Sequence, residues 1–235
     1  AGADINQAMN DGTTPLYVAS FNGEIECVRL LLEAGAAVNQ AHENGATPLF
    51  IACETGQLEC AQLLRDAGAD INQAMNDGVT PLFMACQEGR LECVRLPVEA
   101  GAAVNQAEED GVTPLCIACQ KNHLGCVQLL LEDGATVNQA KQNGATPLFV
   151  ACGKGHVEIA RLLLEAGATV NQAKQNGATP LFIACEKGHL EVAALLLETG
   201  AAMDQAKEDG ATPLFMACQE GHLEIVRLLL EASAA

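Results

Sequence analysis

The chain has 235 residues, of which 30 are acidic and 12 are Lys or Arg, so its formal net charge at pH 7 is −18. This charge argues against nucleic acids and anionic membranes as partners, because both are polyanions. The sequence contains no run of about 18 apolar residues, which argues against a membrane-spanning helix, and residues 1–7 lack the basic and apolar regions of a secretory signal.

The triplet Thr-Pro-Leu occurs seven times, always 33 residues apart. A fixed period of 20–50 residues indicates an array in which each copy is one supersecondary unit. We therefore predict a single domain over 1–235. In chain order it consists of the tail of a preceding copy (1–7) and the repeats 8–40, 41–73, 74–106, 107–139, 140–172, 173–205 and 206–235.

Each repeat predicts two short helices, as the sixth copy illustrates. Thr179 is a good N-cap, and Pro180 suits the first helical position, where its missing N–H has no cost. The first helix should end at Gly188, which can adopt the left-handed conformation. A second helix should run from Leu190 to Gly200. Both helices are shorter than about 12 residues and would be marginal alone, so each copy must pack on its neighbours.

A tight turn is predicted after each helix pair, as at Asp209-Gly210 in the last copy. The 33-residue period and the Thr-Pro-Leu triplet together resemble the ankyrin repeat, whose signature is T-P-L-H-x-A. The resemblance covers the whole chain. It implies an all-α fold, an α-solenoid in which ankyrin helix–turn–helix units stack and are joined by short β-hairpin turns.

The His of that signature is absent from all seven copies. Aromatic residues replace it in six copies, at Tyr17, Phe50, Phe83, Phe149, Phe182 and Phe215, and Cys116 replaces it in the fourth. We favour a hydrophobic column packed on the helices, because burial of large rings is favourable. An aromatic ladder that binds a ligand is the alternative.

The third and fourth repeats depart most from the pattern. Pro97 stands in a column otherwise filled by Leu, where it removes the hydrogen bond to the carbonyl of Cys93 at a cost of about 3 kcal/mol. In the fourth repeat Asn122 replaces the turn Gly, and Gly125 replaces a Glu. The sequence therefore predicts that the centre of the array is its least stable part.

Ten of the eleven cysteines fall into two columns with the same 33-residue spacing. One column is continued by Ile159, Val192 and Ile225, which indicates that its cysteines act as small core side chains. We expect reduced thiols and a cytoplasmic location. The columns are Cys53, Cys86, Cys119, Cys152, Cys185 and Cys218, and Cys27, Cys60, Cys93 and Cys126.

One cluster, Cys116, Cys119, His123 and Cys126, has a spacing that would suit zinc. Three of its members belong to repeat-wide columns, so we favour packing over metal binding. Histidines one repeat apart are also too distant to share a metal, because packed helices lie about 8–10 Å apart. No cluster of nucleophile, base and orienting group stands out from the periodic background. The sequence predicts no cofactor and no enzyme activity.

The resemblance implies protein–protein binding through a concave surface of hairpin tips and first helices. The main alternative is an engineered or purely structural scaffold without a natural target. A second, less favoured alternative is a segment that regulates a catalytic domain absent from this chain. Since no polar capping repeat follows, we expect a piece of a longer array or an engineered derivative. The last copy should then self-associate weakly through its apolar side chains, namely Ile225, Val226, Leu228, Leu229 and Leu230.

All six lysines lie in the second half of the chain and fall into two columns. The tip column holds Lys141, Lys174 and Lys207, and the helix-end column holds Lys121, Lys154 and Lys187. In the first half the same columns carry Glu88 and Glu108. These eight residues are the candidate partner-binding site, and the lysines predict an acidic peptide as partner. The alternative is that each Lys merely balances a neighbouring carboxylate, such as Glu186 or Glu208.

Overall fold

The computed structural model describes residues 3–233, in which every regular element is a helix. The predicted all-α class is confirmed, and the turns between helix pairs contain no strand in this part of the chain. The chain divides into two compact units, 1–109 and 110–235. The organisation as one domain stays a prediction. Over residues 3–233, no helix is both long and apolar enough to cross a membrane.

The first unit contains three helix pairs within the described residues. The first helices of the pairs pack side by side in one layer, α1 on α3 and α3 on α5, and the second helices form another layer. The helices are α1 (Pro15–Asn22), α2 (Ile25–Glu33), α3 (Pro48–Thr55), α4 (Leu58–Asp66), α5 (Pro81–Glu88) and α6 (Leu91–Glu99).

The second unit repeats this arrangement with four pairs in its described part. Its first helices, α7, α9, α11 and α13, form one layer, and α8, α10, α12 and α14 form the other. The helices are α7 (Pro114–Lys121), α8 (Leu124–Glu132), α9 (Pro147–Lys154), α10 (Val157–Glu165), α11 (Pro180–Lys187), α12 (Leu190–Glu198), α13 (Pro213–Gln219) and α14 (Leu223–Ala232).

The expected capping residues set the bounds of the first helices. In α11 the buried Thr179 accepts a hydrogen bond from the backbone N–H of Phe182 at 3.1 Å, and Pro180 is the first helical residue. Gly188 ends the helix with φ 76°. At the corresponding position of the fourth repeat, Asn122 adopts φ 64° and is the one non-glycine residue with positive φ in residues 3–233. Asn tolerates this conformation better than most residues.

The core of both units is built mainly from aliphatic side chains and cysteines, and each unit adds two buried phenylalanine rings. Nine of the eleven cysteines are buried, and only Cys27 and Cys218 are exposed. The prediction that cysteines act as core side chains is confirmed for these nine. Burial raises the pKa of Cys93 and of Cys126 to about 11, so these thiols stay protonated near neutral pH.

Pro97 does not end its helix. It is buried inside α6, which continues to Glu99, and the Pro97 carbonyl accepts a hydrogen bond from the N–H of Ala102 at 2.9 Å. The helix therefore tolerates the loss of the hydrogen bond to the Cys93 carbonyl, which Pro97 cannot donate because it has no N–H. Lower stability of this region stays a prediction.

The last repeat exposes fewer apolar residues than the sequence suggests. Ile225 and Leu229 are buried, so the expectation that both are presented to solvent is wrong: α14 already turns them onto its own unit. Leu230 is exposed, and Val226 and Leu228 are half-buried. Self-association through these side chains stays a prediction.

Candidate functional site on the lysine-bearing face of the second unit

The three tip lysines occupy the same position in three successive turns. Each donates its backbone N–H to the carbonyl four residues later at 2.9 Å, and its own carbonyl accepts from a glycine N–H at 2.9 Å. The glycine adopts a positive φ of 83–86°, which closes the turn. The three turns run from Lys141 to Ala145, from Lys174 to Ala178 and from Lys207 to Ala211.

Backbone hydrogen bonds join these turns into a continuous row. Gln175 donates its N–H to the carbonyl of Asn143 at 3.2 Å, and Glu208 donates to the carbonyl of Asn176 at 3.0 Å. The side-chain amide of Gln175 adds a bond to the carbonyl of Gln142 at 2.7 Å. The tip column is therefore held at a regular spacing by the main chain.

Two tip lysines lean over the first helix of the preceding repeat. The ammonium of Lys174 lies 5.3 Å from the ring centroid of Phe149, and that of Lys207 lies 5.6 Å from the centroid of Phe182. At these distances the cations are attracted to the ring faces. Both rings are buried in a cluster with Ala145 and Ala178, which supports the packing interpretation for these members of the aromatic column, whereas Phe215 is exposed. The rings thus orient the lysines toward the first helices.

The helix-end lysines are the last residues of α7, α9 and α11. Lys121, Lys154 and Lys187 are all exposed. A cation in the last turn interacts favourably with the negative end of the helix dipole, so these lysines also have a structural reason to be there.

Two of the six lysines are neutralised by carboxylates. The ammonium of Lys187 lies 2.8 Å from Glu186, and that of Lys207 lies 2.8 Å from Asp209. The hydrogen bond that Lys187 donates to the Glu186 carboxylate raises the pKa of Lys187. The pKa of Lys207 is raised chiefly by its hydrogen bond to Asp209 and also by the charge of Glu186.

The other four lysines, Lys121, Lys141, Lys154 and Lys174, form no ion pair with any described residue. We call them the unpaired lysines. Their sequence neighbours explain the difference. Gly153 stands before Lys154 where Glu186 stands before Lys187, and the pair Gln-Asn follows Lys141 and Lys174 where Glu-Asp follows Lys207. The alternative that each lysine balances a neighbouring carboxylate accounts for Lys187 and Lys207, but it does not explain the four unpaired lysines.

The comparisons with known proteins agree with this repeat geometry. A family model of ankyrin repeats matches residues 1–75, 72–141, 98–174, 136–207 and 166–235. The chain belongs to the ankyrin repeat family. Among solved structures it is similar to the human ASB11 ankyrin repeat domain, with 31% identity over 94% of this chain and 98% of that one, at a TM-score of 0.85. A search among curated protein sequences found no significant match. Ankyrin repeats are generally protein–protein interaction modules and typically non-enzymatic.

In the first unit two of the same ankyrin positions are acidic, and none carries Lys or Arg. Glu88 is the exposed last residue of α5, and Glu108 lies in a hairpin tip, where its Cα is 3.2 Å from the position a side chain would take on Gly78. Burial raises the pKa of Glu54, and the charge of Glu88 raises it further. The first unit has 16 acidic and 4 basic residues, a formal charge of −12; the second has 14 and 8, a charge of −6. Glu88 and Glu108 therefore belong to the first unit, and all six lysines belong to the second.

Three histidines of the second unit connect adjacent ankyrin repeats. The Nε2 atoms of His189 and His222 each lie 3.2 Å from a backbone carbonyl oxygen of the preceding repeat, and that of His156 lies 3.4 Å from one. These contacts give the histidine column a structural role. Sequence reasoning missed this partner because a carbonyl carries no sequence signal.

The cluster for which the sequence favours packing over zinc has all three of its cysteines buried. Within residues 3–233, no three His, Cys, Asp or Glu side chains come together in a way that could hold a metal ion. Cys119 is buried, and burial raises its pKa well above the usual value. Zinc requires the thiolate, which this environment disfavours.

Proposed function

We propose that the second unit binds an acidic peptide segment of a partner protein through its tip and helix-end lysines. The observation that carries the proposal is the presence of four unpaired lysines in two columns of one unit whose net charge is negative. Lysines needed only for charge balance would have carboxylate neighbours, as Lys187 and Lys207 have.

The expected affinity is modest, because exposed ion pairs contribute only about 0.2–1 kcal/mol each. Four such pairs together give roughly 1–4 kcal/mol, so several carboxylates must be engaged at once. Above physiological ionic strength, screening should weaken the interaction, since the Debye length is then below about 8 Å.

The test is charge reversal on the proposed face. Lys154→Glu combined with Lys174→Glu should abolish binding of a fluorescein-labelled Glu-rich peptide, measured by fluorescence anisotropy. The matched control is Arg161→Glu with Arg227→Glu, which changes the charge equally but on the second helices α10 and α14. Equal loss in both double variants would mean that only net charge matters, and the proposal would fall.

A chain without a natural target is the alternative function. Capture from a native lysate separates the two. A partner that is lost with the Lys154→Glu and Lys174→Glu variant but kept with the arginine control supports the binding module. Capture that is the same with both variants favours the scaffold.

We also infer a reducing compartment such as the cytoplasm. The inference is supported by the nine buried free cysteines. Three of them, Cys60, Cys93 and Cys126, lie in the column that Ile159, Val192 and Ile225 continue, as expected for core side chains.

A further inference from the structure

We infer that the acidic segment binds as an extended, polyproline-II-like peptide with a carboxylate at every third residue. This rests on the proposed function and specifies the geometry of its ligand. The unpaired lysines supply the pattern, because they recur once per repeat at two matching positions, Lys141 and Lys174 at the tips, and Lys121 and Lys154 at the helix ends.

The repeat spacing follows from the turns. Each turn contributes two chain segments to the hydrogen-bonded row, since Lys174 bonds to Ala178 within its turn and Gln175 bonds to Asn143 of the preceding turn. Segments bonded in this way lie about 4.8 Å apart, so one repeat advances the row by about 10 Å. Packed helices give a similar spacing of about 8–10 Å.

Only some peptide conformations place side chains at this interval on one face. A polyproline-II helix has three residues per turn and a rise of about 3.1 Å, so every third side chain recurs on the same face after about 9.3 Å. Same-face side chains of a β-strand recur after about 6.7 or 13.4 Å. An α-helix returns to the same face near 10 Å only after seven residues, about 10.5 Å.

The turns favour the polyproline-II conformation over the α-helix. Exposed Asn143 and Asn176 end the tips, and their Oδ1 atoms accept from the N–H groups of Ala145 at 3.0 Å and Ala178 at 3.2 Å. Their Nδ2 groups donate to no described residue, so these donors remain available to a carbonyl acceptor of a ligand. A polyproline-II backbone has no internal hydrogen bonds and offers carbonyl acceptors, whereas a helix uses its own. Closely spaced carboxylates also repel one another and extend the chain.

The test uses the whole 235-residue chain and three fluorescein-labelled peptides of identical composition, with Glu at every second, every third or every fourth position among Pro and Ala. A fourth, α-helical peptide carries Glu at every seventh position. The every-third peptide should bind about tenfold more tightly than its isomers, the gain expected when a few more exposed ion pairs form at once. Lys141→Gln with Lys174→Gln should remove that preference. The control Arg161→Gln with Arg227→Gln, which removes the same charge from the second helices α10 and α14, should keep it.

Each other result of this binding test contradicts one specific part of the inference. Equal binding of the three isomers, lost with Lys154→Glu and Lys174→Glu, overturns the three-residue spacing and leaves acidic-peptide binding intact. Tightest binding of the helical peptide overturns the polyproline-II conformation. Absence of binding by all four peptides at about 0.1 M salt, where exposed charges still interact at contact distance, overturns both this inference and the proposed function.

Discussion

At the scale of single residues, Pro97 is the clearest site at which the chain departs from its own pattern. A Pro inside a helix costs about 3 kcal/mol, and the rigidity it gives the unfolded chain offsets about 0.4–1 kcal/mol of this. Pro97→Leu restores the donor to Cys93, and Leu64 in the same column is fully buried. We expect the variant to stabilise the first unit by about 1–3 kcal/mol in urea unfolding.

A second proline in the same unit provides the control. Pro48 is the first residue of α3, where no intrahelical donor is required. Pro48→Ala should therefore leave the unfolding midpoint unchanged or lower it. A Pro97→Leu variant no more stable than the original chain would show that α6 has already adjusted to the missing bond.

Residue-scale prediction from sequence succeeded where local chemistry is decisive. Thr179, Pro180 and Gly188 set helix bounds through their own hydrogen bonds and backbone preferences, so the pattern predicts them correctly. The ion-pair partners of the lysines are harder to predict from the sequence, because they depend on side-chain rotamers. The sequence suggested that Glu208 balances a lysine, whereas Asp209 is the residue that pairs with Lys207.

At the scale of helices and repeats, the partial burial of His156 makes stability depend on pH. Burial lowers the pKa of His156 below its usual 6.5, and the charges of Lys154 and His189 add to this; the hydrogen bond to the Gln120 carbonyl opposes it. The unfolded chain therefore binds a proton more readily than the folded one. The contribution of His156 to stability is complete above about pH 6.5 and is lost as the pH falls below it.

The matched variant is His156→Gln, because Gln57 occupies this column in the second repeat. Gln can bond to the carbonyl but does not titrate. In urea unfolding between pH 8 and pH 5, the original chain should lose more stability than the variant over the lower half of this range. Superimposable pH profiles would show that His156 does not titrate differently in the folded state.

Packing between repeats is what the sequence predicted least well. The periodic pattern showed which columns are apolar, but it did not show that Ile225 and Leu229 of α14 are buried. Their direction depends on how α14 sits on α12 and α13. For the same reason the pattern could not show that α6 continues past Pro97.

At the scale of the whole molecule, the lysines act against a background of negative charge. The second unit carries −6 and the whole chain −18, so an acidic peptide is repelled at long range and attracted only at contact. The two effects are screened over different distances. The Debye length is about 30 Å at 0.01 M salt, 10 Å at 0.1 M and 3 Å at 1 M.

Affinity for the acidic peptide should therefore pass through a maximum near about 0.1 M salt, where long-range repulsion is screened and ion pairs at contact persist. Fluorescence anisotropy titrations from about 0.01 M to 1 M salt measure the profile. The control removes background charge away from the lysines, with Glu132→Gln, Glu165→Gln and Glu198→Gln at the exposed ends of α8, α10 and α12. This variant should bind more tightly at the lowest salt, and its maximum should move to lower ionic strength. A steady decline in affinity from the lowest salt in both proteins would show that the net charge of the molecule has no influence on the site.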